Sequence, residues 1–257
     1  MTVVAVLADP PRPGLALPRL AETSPLSEVE AAELSEAMLR DTLRAVERSG
    51  GDLLVNYRPD DLLPDSAVDP EESSEDALKS IAADVLDDPA AARFEVQVGS
   101  TFSARAGNTV SHLLSEEGVQ SAAVLRGDAP FVLRSTIDSA AMKLRSHDVV
   151  LGPSTDGRVY YAGFKAPIDF EGAFAAPEAE TLVDCANDAD RDVGFLGMQP
   201  TVRTGGDLAT LVSAIRARWQ AGRVVPERTA EFVVDYGLAV VGDDSDGSED
   251  ELRLVRE

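Results

Sequence analysis

The residues with the clearest chemical prospect stand in the stretch 121–130, SAAVLRGDAP. A short apolar run, Ala122 to Leu125, stops at Arg126-Gly127 and delivers Asp128 just before Pro130. Apolar runs bounded by Gly and Pro mark buried strands of a mostly parallel sheet, and such sheets bind ligands beyond the carboxyl ends of their strands. A carboxylate there can hold a divalent cation, Mg²⁺ or Mn²⁺, that in turn holds a diphosphate. Three more loops are expected at carboxyl ends of strands: 9–19, 153–158 with Asp156-Gly157, and 199–206 with Arg203. Plainer uses compete: Asp128 as a turn residue after its strand, and Asp156-Gly157 as a hairpin turn. Arg126-Gly127-Asp128 also spells an adhesion tripeptide, a coincidence at a buried strand end.

Other reactive side chains offer less. His112 falls on an expected helix and His147 before an expected strand, with no carboxylate or nucleophile at a telling spacing, so both read as structural. Cys185 is the single cysteine; it excludes an internal disulfide or a cysteine zinc site and reads as a small buried apolar residue. The run Asp243, Asp244, Asp246, Glu249, Asp250, Glu251 lacks the ligand spacing of a calcium loop and reads as solvated charge.

Composition narrows the class. The 257 residues carry 46 Asp+Glu against 23 Lys+Arg, a formal charge of -23, yet 44% are hydrophobic. Lysine occurs only at Lys79, Lys143 and Lys165. This is a foldable chain with an acidic surface, a pattern suited to concentrated salt, where repulsion is screened within about 3 Å at 1 M. The expected source is a halophilic archaeon and the expected location its cytoplasm. No basic stripe exists to neutralise nucleic-acid phosphates. No run reaches the roughly 18 apolar residues of a membrane span. The N-terminal MTVVAVLADPPRPG reads as a first strand and not as a signal peptide.

The elements that must position these residues alternate. Residues 3–8 form a strand, closed by a proline-dense stiff loop. Ser27 with Glu30 makes a capping box opening a helix to about residue 48, with Leu34, Met38, Leu39, Leu43 and Val46 on its apolar face. Strands are expected at 52–56, 94–97, 148–152, 159–164 and 193–198, and helices at 74–86, 102–117, 135–144, 178–189 and 207–220. Residues 229–236 read as helical or extended. The pattern is α/β, and the near absence of a crossover between 152 and 159 makes the sheet mixed. One domain over 1–257 is the simplest reading, with an acidic, partly mobile excursion at 58–90 and a terminal hairpin at 238–257.

In this order the loops resemble the nucleotide-diphospho-sugar transferase superfamily of GT-A type. More narrowly they resemble its glycosyltransferase-like branch related to 2-phospho-L-lactate guanylyltransferase. The likeness runs from about Val3 to Leu211. The branch's phosphate loop A-K-x-P-x-P-G-x-x-K-T-R-L is met by ADPPRPGLALPRL, keeping Gly14, Arg19 and Leu20. Its L-x-D-T-L is met by Leu39 to Leu43, and its Q-x-G-x-x-L-G-x-R in part by Gln97, Gly99 and Arg105. Its metal motif G-x-D-x-P is met at Gly127 to Pro130, and its G-P-x-x-D-G-G-Y-Y at Gly152 to Tyr160. The D-x-D-T-x-x-D-L near the end is reduced to Thr201-Val202-Arg203-Thr204-Gly205-Gly206-Asp207-Leu208.

The resemblance implies a three-layer α/β/α, GT-A-like (Rossmann-like) fold with a mixed, mostly parallel sheet. It implies a nucleotide or nucleotide-sugar partner, with Gly14, Arg19, Arg105 and Arg203 on phosphates. It further implies Asp128 on metal or diphosphate as a catalytic group, Asp156 as catalytic on the acceptor or sugar, and Gly157 and Tyr160 on the substrate. Arg19 has the alternative of pairing with a surface acid. The departures weigh as much: Asp9 and Leu17 replace lysines, and Arg203 replaces the second metal aspartate. Each lost charge-stabilising donor costs about 10²–10³ in rate. A guanidinium can neutralise a diphosphate without metal, so Arg203, Arg19 and Arg12 are candidates for such a site. Two functions follow: glycosyl or nucleotidyl transfer, or a catalytically degenerate relative acting as a binding or regulatory subunit. The degenerate form would act as a homo-oligomer or beside an intact paralogue.

Overall fold

The computed structural model describes residues 2–242 and 252–256; the acidic run 243–251 read above as solvated lies outside them. Its elements run β1 (Thr2–Ala8), α1 (Pro18–Thr23), α2 (Glu28–Glu47), β2 (Asp52–Tyr57), α3 (Ser74–Val85) and β3 (Arg93–Val96). Then follow α4 (Phe102–Ser111), β4 (Ser121–Arg126), α5 (Arg134–Lys143), β5 (Val149–Pro153), β6 (Val159–Phe164) and α6 (Glu178–Asp188). The chain closes with β7 (Val193–Phe195), α7 (Gly205–Gln220), α8 (Glu227–Asp235), β8 (Leu238–Gly242) and β9 (Leu252–Arg256).

Seven strands form one sheet in the order β3-β2-β1-β4-β6-β5-β7. All neighbours pair parallel except β6, which runs antiparallel to both β4 and β5. The fold is thus the mixed, mostly parallel α/β class that the strand pattern predicts. The period-2 alternation of β1 builds both faces at once. Val4, Val6 and Ala8 pack with α2, α3 and α5, whereas Val3, Ala5 and Leu7 pack with α4 and α6. A one-residue slip would exchange the two sets, so the apolar pattern fixes the register. β8 and β9 pair separately as an antiparallel ribbon.

The apolar residues of α2 serve two cores. Leu39, Leu43 and Val46 face the sheet, while Leu34 and Met38 meet α7 and α8 in a third cluster with Leu208, Leu211, Ile215 and Val233. The sequence pattern grouped them on one face; the helix is wrapped from two sides. Its Asp41, part of the L-x-D-T-L segment, accepts hydrogen bonds from Arg228 N, Thr229 N and Thr229 Oγ1, and so caps α8 from outside.

Some expectations need correction or narrowing. The loop 9–19 does not stay irregular, because α1 begins at Pro18; proline suits the first helical position, where its missing N–H has no partner to lose. Of the two readings open for 229–236 the helical one holds, through Asp235 within α8, and β7 is shorter than expected. The stretch after β2 is gathered around Arg12, whose guanidinium donates to Asp60 Oδ1 (3.2 Å) and to the carbonyls of Ala67 (2.8 Å) and Glu72 (2.5 Å). Both terminal nitrogens of Arg12 are thereby engaged by the stretch after β2. Among the described residues no helix is long and apolar enough to cross a membrane.

Candidate functional site

Strand alternation decides where the β4 side chains point. Ala122, Val124 and hence Arg126 face the α4/α6 side. There the Arg126 guanidinium lies 3.8 Å above the Phe102 ring and donates to Glu178 Oε1 at 2.7 Å. The second oxygen of Glu178 accepts from Val159 N at 2.9 Å. Two residues past the strand, Asp128 meets Arg203: Nε donates to Oδ2 at 2.6 Å. The backbone closes the same contact, since Val202 N donates to the Asp128 carbonyl at 2.8 Å.

The loop before α7 is held from three directions. Thr201 N and its hydroxyl engage Ser154 Oγ at 3.0 Å each, at the end of β5. Gly205 N donates to Thr23 Oγ1 at the end of α1 (2.9 Å). Asp207 completes a capping box with Thr204, accepts from Arg203 N, and binds Arg158 through both oxygens (2.9 and 3.3 Å). Burial alone would raise the Asp207 pKa. The hydrogen bonds from Arg158, Arg203 N and Thr204 outweigh it, so the carboxyl is held below its ordinary value. A lowered carboxyl pKa stabilises the fold above the unfolded pKa of about 3.9, and that contribution fades as pH falls through the folded value. Asp207→Asn is therefore expected to cost about 1–3 kcal/mol at pH 7, with a smaller gap to wild type at pH 3. Urea midpoints at the two pH values measure it; an equal gap at both would remove the charged carboxylate from the account.

These loops enclose a cleft of about 240 Å³ lined by Asp9, Leu15, Ala16, Leu17, Phe102, Arg126, Gly127, Asp128 and Arg203, among others. Leu17, which stands where the resemblance expects a lysine, takes the left-handed conformation (φ 49°) and packs against the third core. That conformation costs a non-glycine residue about 1–2 kcal/mol. On the cleft wall, Asp9 pairs with Arg58 at 2.7 Å and lies within electrostatic reach of Arg105. Burial lowers the Arg105 pKa against the attraction of Asp9, with repulsion from Arg58 adding to the fall, and its Nε is buried without a hydrogen-bond partner. For Arg203 burial also acts against the charge, but Asp128 outweighs it and the pKa is raised. Arg126 is lowered, first by burial and then by Arg203. Arg58, Arg105, Arg126 and Arg203 stand with Asp9, Asp128 and Glu178, a dense set of arginines in a chain whose total charge is -23.

A divalent cation does not fit this donor set. Asp9, Glu178 and Asp207 are each committed to an arginine. Among the described residues no group of three His, Cys, Asp or Glu could hold a metal. Asp128 keeps one buried oxygen without a partner, Oδ1. A dication there would sit within about 5 Å of the Arg203 guanidinium, a repulsion of roughly 7 kcal/mol at an effective dielectric of about 20.

The predicted residues separate into groups. Asp128 and Arg203 meet in the cleft, and Arg105 does not line it but lies within electrostatic reach of Asp9, which does. Gly14 (φ 76°) on the adjoining loop and the exposed Arg19 in the first turn of α1 do not line the cleft. Asp156 and Gly157 are consecutive left-handed residues (φ 57° and 68°) in the short connection 154–158 between β5 and β6, and Asp156 is an exposed partner of Arg158. Tyr160 is buried, its ring filling the space at Gly152 and its hydroxyl donating to the Gly197 carbonyl (2.9 Å). Arg126, Glu178, Arg158 and Asp207 went unassigned in the sequence. For Arg126 a signal existed: alternation along β4 carries a cation onto the α4/α6 face at the strand's last position.

A family model described as an uncharacterized protein conserved in bacteria (DUF2064) matches residues 67–176. No curated protein matches the chain. The chain is similar in structure to a candidate nucleotide-diphospho-sugar transferase from Desulfovibrio desulfuricans G20. That likeness has 21% identity and a TM-score of 0.73, and covers 91% of this chain and 94% of the other. It is also similar to a 4-diphosphocytidyl-2C-methyl-D-erythritol synthase from Anaerococcus prevotii DSM 20548, at 16% identity and a TM-score of 0.49, over 87% and 96% of the two chains. The first of these likenesses shows the fold: this chain has the same mixed, mostly parallel α/β architecture as that protein.

Proposed function

We propose that the protein binds a nucleotide or nucleotide-sugar at the carboxyl edge of its sheet, as a nucleotidyl- or sugar-transferase-like protein. The observation that carries this reading is the convergence of Arg126 and Arg203 on one cleft beside Asp128, where loops distant in sequence meet. Half-buried guanidiniums with free N–H groups match the bidentate geometry of phosphate. The cleft, at about 240 Å³, is sized for a diphosphate. A groove of about 870 Å³ shares Phe102 with it and runs between α4 and Ile168, Phe170 and Phe174, which gives room for the rest of the ligand beside aromatic rings.

Within that reading, binding without efficient transfer is the version favoured by Asp128, whose carboxylate is neutralised by Arg203 and not free to act as a base or metal ligand. Titration calorimetry with CTP, GTP and UDP-sugars in molar salt is expected to give saturable binding. The matching turnover assays are expected to show little transfer. No heat and no thermal stabilisation with any nucleotide would reject the reading; rapid transfer would reject its binding-only form.

A further inference from the structure

The charges at the cleft say how a phosphate group is held. Arg203 spends only its Nε–H on Asp128; among the described residues its two terminal nitrogens have no hydrogen-bond partner, and the side chain lines the cleft. Arg126 likewise spends a terminal nitrogen on Glu178, while its Nε is buried and unsatisfied. Both heads are pre-positioned, Arg203 by Asp128 and Arg126 by Glu178 below and Phe102 beside it. An arginine fork fixed in this way loses little side-chain freedom when it takes up an anion. The carboxylates that would recruit a cation are, in contrast, already neutralised.

We infer that the cleft takes a phosphoanion, the diphosphate class of ligand, without a divalent cation, the guanidinium of Arg203 supplying the positive charge directly. This rests on the nucleotide-binding reading above and extends it to how the anion is neutralised. Asp128 is then a positioning residue for Arg203 and not a metal ligand.

The test uses the full chain with inorganic pyrophosphate, CTP and UDP-glucose, each titrated once in excess EDTA and once in millimolar Mg²⁺. Comparable affinity in both, within about threefold, is the expected result. Arg203→Ala is expected to weaken binding at least tenfold in EDTA, and Arg203→Lys to recover part of it. Asp128→Asn, which keeps the shape and an acceptor for the Arg203 Nε–H while removing the negative charge, should still bind in EDTA. Melting curves of each variant separate lost binding from lost folding. Binding by wild type only when Mg²⁺ is present, or abolished by Asp128→Asn with the fold intact, overturns this inference and leaves the nucleotide reading standing. An absence of binding under either condition overturns both. Binding of pyrophosphate but of neither nucleotide supports the metal-free anion site and overturns the nucleotide reading alone.

Discussion

Glu178→Ala is expected to lower folding stability by about 3–5 kcal/mol, a fall in Tm of roughly 10 °C for a chain of this length. The size follows from what a single side chain holds. One oxygen neutralises Arg126, a guanidinium only 14% exposed and lying over Phe102; the other takes the N–H of Val159 at the start of β6. Alanine removes both acceptors, leaving a buried charge uncompensated and a strand N–H unpaired, and removing one partner of a buried pair costs far more than never having had it. The double variant Glu178→Leu with Arg126→Met should therefore recover much of the loss, since well-packed apolar replacements of such pairs are often neutral. Chemical denaturation of the three proteins measures this. A loss below about 1 kcal/mol for Glu178→Ala would mean that Arg126 is solvated independently and that no buried ionic cluster exists at the strand ends.

The same cluster shows what a sequence of this kind does and does not disclose. Helix α2 was legible because its capping box and apolar spacing are local; both Ser27 and Glu30 make the bonds their spacing predicts. The strands were legible because burial on both faces of a parallel sheet requires unbroken apolar runs, as in 3–8 and 122–125. The mixed character of the sheet followed from a turn too short for a crossover, and Asp156-Gly157 adopts the left-handed pair that such a turn requires. The site resisted for the opposite reason. Which acid meets which arginine depends on contacts spanning 75 residues for Asp128 and Arg203 and 52 for Arg126 and Glu178. In a chain with 46 acidic residues, composition offers every arginine many partners. Motif position misled in two places. Tyr160 keeps its place in the pattern but is consumed by packing against Gly152, and Arg12 sits in the phosphate-loop segment but ties down the stretch after β2.

Gly205→Ala is the second large effect, and it joins stability to the site. A Cβ at position 205 would lie 2.0 Å from the carbonyl oxygen of Thr23 and 2.9 Å from its carbon. Both are backbone atoms, so no rotamer change relieves the clash, and the first turn of α7 must withdraw from the end of α1. The withdrawal breaks the Gly205 N–H bond to Thr23 Oγ1 and shifts the cap formed by Thr204 and Asp207, on which the position of Arg203 depends. We expect a loss of about 3 kcal/mol or more, at the upper end for overpacking because backbone opposes backbone. Pyrophosphate binding should weaken at least tenfold. Helix propensity works the other way, favouring alanine by about 1 kcal/mol, which makes the neighbouring position an internal control. At Gly206 a Cβ would meet only Thr204 Oγ1 at 3.9 Å, an ordinary contact. Gly206→Ala should accordingly be neutral or slightly stabilising and leave binding unchanged. If the two alanine variants melt together and bind alike, α7 is not seated on α1 through this contact, and the placement of Arg203 in the cleft loses its support.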